Sequence, residues 1–583
     1  MITSNLVSAG VPSEREVEEL ANSLFPDFEG NGTTGFFDAA HCAEGTENLI
    51  EKGDTSVISD AVSKAESAEN YFSGDIDGFN HYSDFAAIAE SYNTGAYNPY
   101  GVENTESAPD YANTQAVSAY PQELTQGNET YAKEETKGYS PVVLSETQST
   151  QNAHVITAAA ETPDGRNNQK NNTGKYDNSK IIVGTKTLEE IRNDFPILKE
   201  KINGHPLVWL DNGATTQRPQ SVIDRLTYYY THENSNVHRG AHELAARSTD
   251  AYENARQIVA DFIGAANEVV FVRGTTEGIN LVSQAYVKQY LKAGDEIILT
   301  LLEHHANIVP WQLVAQETGA VLKVAPVDET GQIILSEYEK LFTPRTKFVS
   351  ATHVSNALGT VTPIAEMIQI AHSHGVRILV DGAQSIAHIP INVTALDADF
   401  FVFSGHKIFG PTGIGAVYGK SELLEAARPY HGGGNMIKDV TFERTIYNPA
   451  PNKFEAGTGS IVDAVGLGAA LEYLNSIGME AVNKHEHELL VYAMEQMQRI
   501  NGLHLVGTAA NKASVLSFVL DGVDNETVGQ RLNQLGIAVR TGHHCAQPIL
   551  RHFGLEGTVR PTLALYNSFD DIDALVSGIK TLV

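Results

Sequence analysis

The residues best suited to chemistry are a lysine in a Ser/Gly turn and a cysteine far from it in the sequence. Ser404-Gly405-His406-Lys407 follows the apolar run 400–403 and precedes the apolar, glycine-rich segment 408–413. A lysine held there is partly desolvated, which lowers the pKa of its amine and frees it to form a Schiff base with an aldehyde cofactor. Cys545 is one of two cysteines, and the other, Cys42, lies in a low-complexity stretch. Together they indicate pyridoxal-phosphate chemistry with a sulfur nucleophile.

Three further features follow predicted strands, at the positions where open α/β sheets bind ligands. The turn 273–278 opens a helix, and its glycines and threonines are typical of a phosphate site, although an ordinary helix cap has the same composition. Asp381 ends a strand and would keep a pyridine nitrogen protonated, or else cap the next helix. His304 and His305 follow another strand, where an imidazole can stack on a flat ring. A metal is the alternative for this pair, but no further ligands accompany it.

The strands that would position these residues are short and apolar, and helical stretches such as Ile364 to Ser373 lie between most of them. The strands are expected at 269–272, 296–299, 321–324, 347–350, 377–380 and 400–403. Such alternation predicts a mostly parallel sheet with helices on both faces. From Asp463 onward the pattern is helix-rich with a few strands, such as 514–519, which predicts a smaller C-terminal α+β domain.

The N-terminal part of the chain differs in composition from the rest. The net charge of −32 is concentrated there, because residues 1–150 hold 5 Lys and Arg against 26 Asp and Glu. Residues 1–180 are too polar to bury a core and are expected to be a largely disordered extension. A short amphipathic helix is expected at about 13–25, opened by a capping box at 13–16. This helix is either transient or a docking element for a partner.

Composition also excludes several classes of protein. So acidic a chain is unsuited to nonspecific binding of nucleic acid or anionic membranes. No apolar run approaches the ~20 residues that span a bilayer, and the first ten residues do not resemble a signal peptide. Two cysteines cannot form a disulfide framework, which favours a reducing compartment. We therefore expect a soluble, cytoplasmic protein without membrane or nucleic-acid partners.

Several motifs show that residues 187–583 resemble the cysteine desulfurase family, most closely its group II, Suf-type branch, which includes selenocysteine lyase activity. The motifs are Leu210-Asp211-Asn212-Gly213-Ala214-Thr215-Thr216, Asn236-Val237-His238-Arg239-Gly240, Glu303-His304-His305-Ala306-Asn307 and Arg540-Thr541-Gly542-His543-His544-Cys545. The resemblance implies the α/β fold of type-I pyridoxal-phosphate transferases. A cofactor-binding large domain would span 187–462, and a small domain over 463–583, to which the start of this segment contributes, would carry Cys545.

The resemblance also implies a role for each site residue. Lys407 would carry the cofactor and move the substrate's α-proton, His304 would stack on the ring and assist proton transfer, and Cys545 would take the sulfur. The other cofactor contacts implied are Asp381 at the ring nitrogen, Gln384 at the ring hydroxyl, and Thr275, Thr276, Ser404, His406 and Thr458 at the phosphate. The implied substrate-binding residues are Asn356, Arg560, Arg540 and Arg239. No residue is expected to bind a metal.

Two points concern the surroundings of these residues. Cys545 would attack as a thiolate, and His543, His544 and Arg540 are expected to raise its thiolate fraction at neutral pH. A buried, inert cysteine is the alternative, but it does not suit so polar a neighbourhood. Thr458 would reach the phosphate of the neighbouring subunit in a homodimer, although this chain has Gly459-Ser460 where the family usually has proline next.

The implied reaction converts L-cysteine to L-alanine and leaves a persulfide on Cys545. The sulfur would pass to an acceptor protein for iron–sulfur cluster assembly or be stored. A selenocysteine lyase and an idle scaffold that acts through its N-terminal tail are the alternatives. The patch Leu20-Ala21-Asn22-Ser23-Leu24-Phe25 resembles loading patches of the desulfurase cargo of family 2 encapsulin shells. This second resemblance implies a shell partner and a location inside a protein nanocompartment.

Overall fold

The computed structural model describes residues 175–238, 240–266 and 268–583. The helix expected at 13–25 lies outside the described residues, as do Arg239 and nearly all of the acidic extension. The domain boundary expected at residues 462 and 463 remains a prediction. In the part of the chain that the structure describes, no helix is long and apolar enough to cross a membrane.

The described residues form short strands that are numbered here in chain order. They are β1 (Ile182–Val183), β2 (Lys186–Thr187), β3 (Lys201–Ile202), β4 (His205–Pro206), β5 (Val208–Trp209), β6 (Val269–Val272), β7 (Glu296–Thr300), β8 (Val321–Ala325), β9 (Thr346–Thr352), β10 (Arg377–Asp381), β11 (Phe400–Ser404), β12 (Gly415–Gly419), β13 (Ile437–Val440), β14 (Thr445–Tyr447), β15 (Leu503–Leu505), β16 (Phe518–Leu520), β17 (Ile537–Ala538), β18 (Arg540–Gly542) and β19 (Thr558–Arg560).

The helices between and around these strands are numbered in the same way. They are α1 (Leu188–Asp194), α2 (Gln220–His232), α3 (Glu243–Ile263), α4 (Thr275–Leu281), α5 (Val309–Thr318), α6 (Leu335–Lys340), α7 (Ile364–Ser373), α8 (Ser421–Ala426), α9 (Ile461–Ile477), α10 (Met479–Met497), α11 (Asn525–Gln534), α12 (Gln547–His552) and α13 (Phe569–Lys580). The helix predicted from Ile364 to Ser373 is confirmed with the same bounds.

The central sheet has the strand order β6-β12-β11-β10-β9-β7-β8. The strands β8, β7, β9, β10 and β11 run parallel to one another, and β12 runs antiparallel between β11 and β6. Every residue of β6, β7, β11 and β12 is buried, as expected for a sheet covered on both faces. The mostly parallel sheet and all six strands predicted for it are therefore confirmed.

The strand β12 is absent from the prediction because it begins and ends with glycine, which is typical of turns. Both glycines are required by close packing. A Cβ on Gly415 would lie 2.4 Å from the carbonyl oxygen of Phe403, and a Cβ on Gly419 would lie 2.8 Å from the ring of Phe400. The glycines of this segment therefore allow a close approach to β11 and do not mark a turn.

The C-terminal segment forms a four-stranded antiparallel sheet in the order β15-β16-β19-β18. The strand predicted at 514–519 is shorter than expected, since the regular strand covers Phe518–Leu520 and Val515 makes only an isolated bridge to Thr562. Pro561 stands opposite this interruption and has no backbone N–H to donate to the ladder. Its carbonyl still accepts from the Leu516 N–H at 2.9 Å.

The N-terminal segment joins the large sheet to the C-terminal sheet. The strand β5 pairs in parallel with β17, and Asp211 makes an isolated bridge to Thr562. The helix α9 is buried along most of its length and packs against α2 and α3. The motif that begins at Leu210 is thereby placed between the ends of β11 and β19.

A glycine directly after Asp381 gives a test of this packing. A Cβ on Gly382 would lie 2.1 Å from the ring of Phe401, so we expect Gly382→Ala to lower the free energy of unfolding by about 1–3 kcal/mol. Thermal denaturation measures the effect. Gly432→Ala is the matched control, because a Cβ there meets no atom within 4 Å. Equal melting temperatures for the two variants would contradict the packing described.

Candidate active site

The carboxyl ends of β6 and β11 meet at one edge of the sheet. The side-chain oxygen of Ser404 accepts a hydrogen bond from the Thr275 N–H at 2.8 Å and lies 2.8 Å from the Thr275 hydroxyl. Gly274 permits this contact, because a Cβ there would come within 3.1 Å of the Ser404 oxygen. Thr276 is exposed beside this pair. The structure therefore brings together the Ser and Thr residues that the sequence suggested for an anion.

Lys407 ends a single 3₁₀ turn, Gly405–Lys407, that directly follows β11. The carbonyl oxygen of His406 accepts from the N–H of Thr216 at 3.0 Å and from the hydroxyl of Thr215 at 3.0 Å. The Thr216 hydroxyl in turn accepts from the Phe409 N–H at 2.7 Å. The two threonines of the N-terminal motif thus fix the lysine turn on both sides, a function that their sequence did not reveal.

Lys407 is half-buried, and its amine interacts with an anion, Asp381, and a cation, Arg560. Burial lowers the pKa of Lys407 to about 8, an effect that Asp381 opposes and Arg560 reinforces. Asp381 is itself buried, and burial raises the pKa of its carboxyl against the effects of the Ala383 N–H and of Lys407. The Ala383 N–H donates to Asp381 Oδ1 at 2.9 Å. A lysine of this kind is half neutral near pH 8, where an ordinary lysine is almost fully charged.

His304 is neutral, and its tautomer is defined by its contacts. Its Nδ1 accepts from the backbone N–H of Ala306 at 3.0 Å, so the ring proton must lie on Nε2. Burial lowers the pKa of His304 to about 3, and the charge of Lys407 adds to this effect. His304 therefore presents an uncharged imidazole with a proton on Nε2 close to Lys407.

Arg560 and Asn356 form a second buried polar part of the site. Arg560 donates to the carbonyl oxygen of Asn356 at 2.9 Å and to Asp211 Oδ1 at 3.4 Å. Its Nε and the side-chain oxygen of Asn356 are both buried and have no hydrogen-bond partner among the residues that the structure describes. Burial lowers the pKa of Arg560 to about 10, which Asp211 opposes. A donor and an acceptor are therefore left without partners at the site, as in a pocket whose ligand supplies them.

Arg540 shares its carboxylate partner with Arg560. Its Nε lies 3.1 Å and its Nη2 3.0 Å from Asp211 Oδ2, although half of the Arg540 side chain is exposed. Asp211 has no separate role that its sequence reveals. Its position directly before Asn212-Gly213, in the N-terminal motif, marks it as a candidate, but only the fold shows that it pairs with two arginines from β18 and β19.

Cys545 lies on a loop whose carbonyl oxygens accept hydrogen bonds from two other segments. The carbonyl oxygen of Cys545 accepts from the His305 N–H at 2.7 Å, and the side-chain amide of Asn356 donates to the carbonyl oxygen of His544 at 2.6 Å. His544 and Cys545 have φ angles of 52° and 53°. Two successive non-glycine residues in this left-handed region indicate a strained backbone of the kind found at functional sites.

The charges near the thiol differ from those expected. His544 is buried, its Nε2 lies 3.1 Å from the carbonyl oxygen of Thr558, and burial lowers its pKa to about 3. It therefore carries no positive charge at neutral pH, and the expectation that it favours a thiolate by its charge is wrong. The cations that interact electrostatically with Cys545 are Lys407, Arg560 and Arg540. His543 accepts from the Cys545 N–H at 3.0 Å.

The other predicted residues have these places. Gln384 is buried and donates to the carbonyl oxygen of Gly213 at 2.8 Å. Burial lowers the pKa of His406 to about 4. Thr458 is exposed, donates to Asn236 Oδ1 at 3.4 Å and lines a cavity of about 450 Å³. Within the described residues, no group of three or more His, Cys, Asp or Glu side chains is suited to a metal ion.

Comparison with known proteins agrees with this site. Residues 208–575 match the family model described as aminotransferase class-V. The chain is 63% identical over 397 residues to a cysteine desulfurase of Synechococcus elongatus and 61% identical over 394 residues to a probable cysteine desulfurase of Mycolicibacterium paratuberculosis. These matches cover 68% and 67% of this chain but only 63% and 58% of the two relatives.

The fold is also that of solved structures. A crystal structure of a cysteine desulfurase from Escherichia coli, with an S-sulfonic acid, is 39% identical and has a TM-score of 0.64. The match covers 68% of this chain and 98% of that one. The chain thus spans about three fifths of the length of the two curated relatives but nearly all of the Escherichia coli protein.

The low pKa of Lys407 can be measured directly in the protein without cofactor. Labelling by an amine reagent, followed by peptide mass spectrometry, should rise with pH and reach half its maximum near pH 8 at Lys407, since only the neutral amine reacts. Lys420 is the internal control. Its burial is outweighed by hydrogen bonds to Asp397 and Asp399, which raise the pKa of Lys420. The same pH dependence at both lysines would contradict the electrostatics described.

Proposed function

Because the chain belongs to the aminotransferase class-V family, we propose that it is a pyridoxal-phosphate-dependent cysteine desulfurase. It would convert L-cysteine to L-alanine and retain the sulfur as a persulfide on Cys545. One observation supports this proposal above all others. Lys407, whose amine has a lowered pKa, interacts electrostatically with the thiol of Cys545 and with Arg560. Arg560 is buried, and its Nε has no hydrogen-bond partner among the described residues.

The residues at the edge of the sheet fit pyridoxal phosphate. Lys407 supplies an amine for its aldehyde, and Asp381 supplies a buried carboxylate for its ring nitrogen. Ser404 and Thr275 supply hydroxyl and N–H groups for its phosphate, together with Thr276 and His406, and Gln384 would meet the ring hydroxyl. When bound, the cofactor withdraws electrons from the α-carbon of the substrate.

The substrate would be held by the unpaired atoms described above. The Nε of Arg560 would donate to the carboxylate of L-cysteine, and Asn356 would contact the same end of the substrate. Arg540 and Arg239 would also take part in substrate binding. Once released from the cofactor, the neutral amine of Lys407 would take the α-proton at Nζ. His304 carries its proton on Nε2 and would assist proton transfer to the substrate.

Cys545 would complete the sulfur transfer. Its Sγ, as a thiolate, would form a bond to the sulfur of L-cysteine while the Cβ–S bond of the substrate breaks. The sulfur then remains on Cys545 as a persulfide, and the substrate carbon is protonated to give L-alanine. The guanidinium groups of Arg560 and Arg540 interact electrostatically with Cys545 and would stabilise the negative charge of the thiolate.

The active unit would be a homodimer. The exposed cavity at Thr458 is lined by tyrosine and asparagine side chains and could receive part of a second copy of the chain. Thr458 would then contribute to the phosphate site of the neighbouring subunit. Glu455 holds the base of this turn, because its carboxylate accepts from Arg256 at 2.6 and 2.9 Å.

The finer assignment concerns the branch of the family and its partners. We propose a group II, Suf-type desulfurase that passes its sulfur to an acceptor protein for iron–sulfur cluster assembly or to a store. The acidic extension and its patch Leu20-Ala21-Asn22-Ser23-Leu24-Phe25 support a second role as cargo of an encapsulin-type shell. The enzyme would then work in a nanocompartment within the cytoplasm.

Replacing the thiol tests the proposed function. We expect Cys545→Ala to reduce sulfide release from L-cysteine at least ~10³-fold, because a nucleophile that forms a covalent intermediate is lost. Pyridoxal phosphate should still bind, and borohydride should still fix it to Lys407, as seen by peptide mass spectrometry. Cys42→Ala is the matched control and should keep full activity.

The outcomes separate the proposal from its nearest rival. Full activity towards L-cysteine in Cys545→Ala would refute the persulfide mechanism. A wild-type protein that acts on L-selenocysteine but not on L-cysteine would identify a selenocysteine lyase instead, and a wild-type protein inactive on both would indicate the idle scaffold.

The cargo role has its own test. Removal of residues 1–174 should leave desulfurase turnover within about twofold but abolish loading into a co-expressed encapsulin-type shell, because the site described above lies entirely after that segment. Leu20→Asp with Leu24→Asp should weaken loading in the same direction, and Ser23→Asp is the matched control. Binding through so short a patch should be weak per chain and depend on the number of copies. Equal loading of the truncated and full-length enzymes would contradict the cargo role.

A further inference from the structure

Glu303 is a fully buried carboxyl group to which the reaction assigns no role. Its Oε1 accepts from the Thr352 N–H at 2.9 Å and lies 2.5 Å from the Thr300 hydroxyl. Its Oε2 accepts from the side-chain amide of Asn307 at 2.6 Å. One carboxyl group thus joins the end of β7, the turn that follows it and the end of β9.

The position of Glu303 connects two residues of the candidate site. It directly precedes His304, whose carbonyl oxygen accepts from the Asn307 N–H at 2.7 Å. Thr352 is the partner of Asp381 in the β9–β10 register, and the next residue, His353, donates its N–H to the Asp381 carbonyl at 2.9 Å. The contact between Glu303 and Thr352 therefore fixes the turn of His304 against the strand end that carries Asp381.

The hydrogen-bond pattern requires a carboxyl group at this place. The Asn307 oxygen accepts from the Trp311 indole at 2.9 Å and from the Ser350 hydroxyl at 2.6 Å, so its NH₂ group must point to Glu303. The Thr352 N–H can only donate. Glu303 must therefore accept on both oxygens, which an amide with a single acceptor oxygen cannot do. Burial raises the pKa of Glu303 to about 8, and a protonated carboxyl can still accept on both oxygens while donating to Thr300.

We propose that Glu303 is a positioning residue that sets the spacing between His304 and Asp381, the two side chains that the proposed function places against the cofactor ring. Its hydrogen bonds act as a rigid link between the two, since a fully satisfied buried network has one arrangement. Loss of the link lets His304 and Asp381 move independently, so that they no longer hold one flat ring together.

The test compares pyridoxal phosphate binding in wild type and E303Q. The dissociation constant from equilibrium dialysis should rise about tenfold, as expected when a buried donor loses its acceptor. The circular dichroism of the bound cofactor should also change, because that signal depends on the orientation of the ring. E337Q is the matched control, since the Glu337 side chain is 45% exposed and pairs with Lys340, three residues along the chain. T300V, a milder change, should show the same effects at about threefold and covers the case in which E303Q does not fold.

A second substitution should restore the pattern. In E303Q/N307D the new amide can donate to the new carboxylate, while the amide oxygen accepts from Thr352 and the carboxylate accepts from Trp311 and Ser350. We expect the dissociation constant and the circular dichroism of the double variant to return to within about twofold of wild type, a non-additive result typical of directly coupled residues.

The possible results have distinct meanings. If E303Q or T300V lowers the melting temperature but leaves cofactor affinity and circular dichroism unchanged, Glu303 is only structural and the inference is overturned. Failure of E303Q/N307D to recover would overturn the hydrogen-bond scheme. A wild-type protein that binds no pyridoxal phosphate would instead overturn the proposed function, and this inference with it.

Discussion

The hydrogen bonds that Thr215 and Thr216 make to the carbonyl oxygen of His406 are the contacts on which the site depends. They join the end of β11 to a segment whose neighbouring residues pair with β17 and Thr562. The large sheet carries Lys407 and the C-terminal sheet carries Arg560, so this segment brings the amine and the arginine to one place. A lysine turn without it would be fixed from one side only.

The electrostatics of the site follow from the burial of cations beside few anions. Lys407, Arg540 and Arg560 share two carboxylates, Asp211 and Asp381, which lie on different elements. A buried cation is costly unless it is paired, which is why Asp211 bonds both arginines and why the pKa of Lys407 is lowered. The nearby His304 is neutral for the same reason. A ligand that brings a carboxylate and a phosphate would supply the missing negative charge.

The sequence determined the large features of the fold. Six apolar runs correctly predicted six strands of the central sheet. A strand that is buried on both faces is an uninterrupted apolar run, so it can be recognised from its own residues without knowing which strands lie beside it. The sequence did not predict β12, whose glycines are required by close contact with Phe400 and Phe403. It also predicted too long a strand at 514–519, opposite Pro561, which directly follows β19 and has no N–H to donate to the ladder. Both differences come from contacts with another segment of the chain.

The same division holds for the site. The sequence by itself determined that Lys407, Asp381 and Ser404 follow strands and so meet at one edge of the sheet. Only the tertiary structure decided that Asp211 pairs with two arginines, that Glu303 accepts from Thr352, the strand partner of Asp381, and that His544 is uncharged. The physical reason is that residue order fixes which groups end a strand, whereas burial and hydrogen-bond partners are set by other segments that the fold brings into contact, here 14 to 329 positions away in the chain.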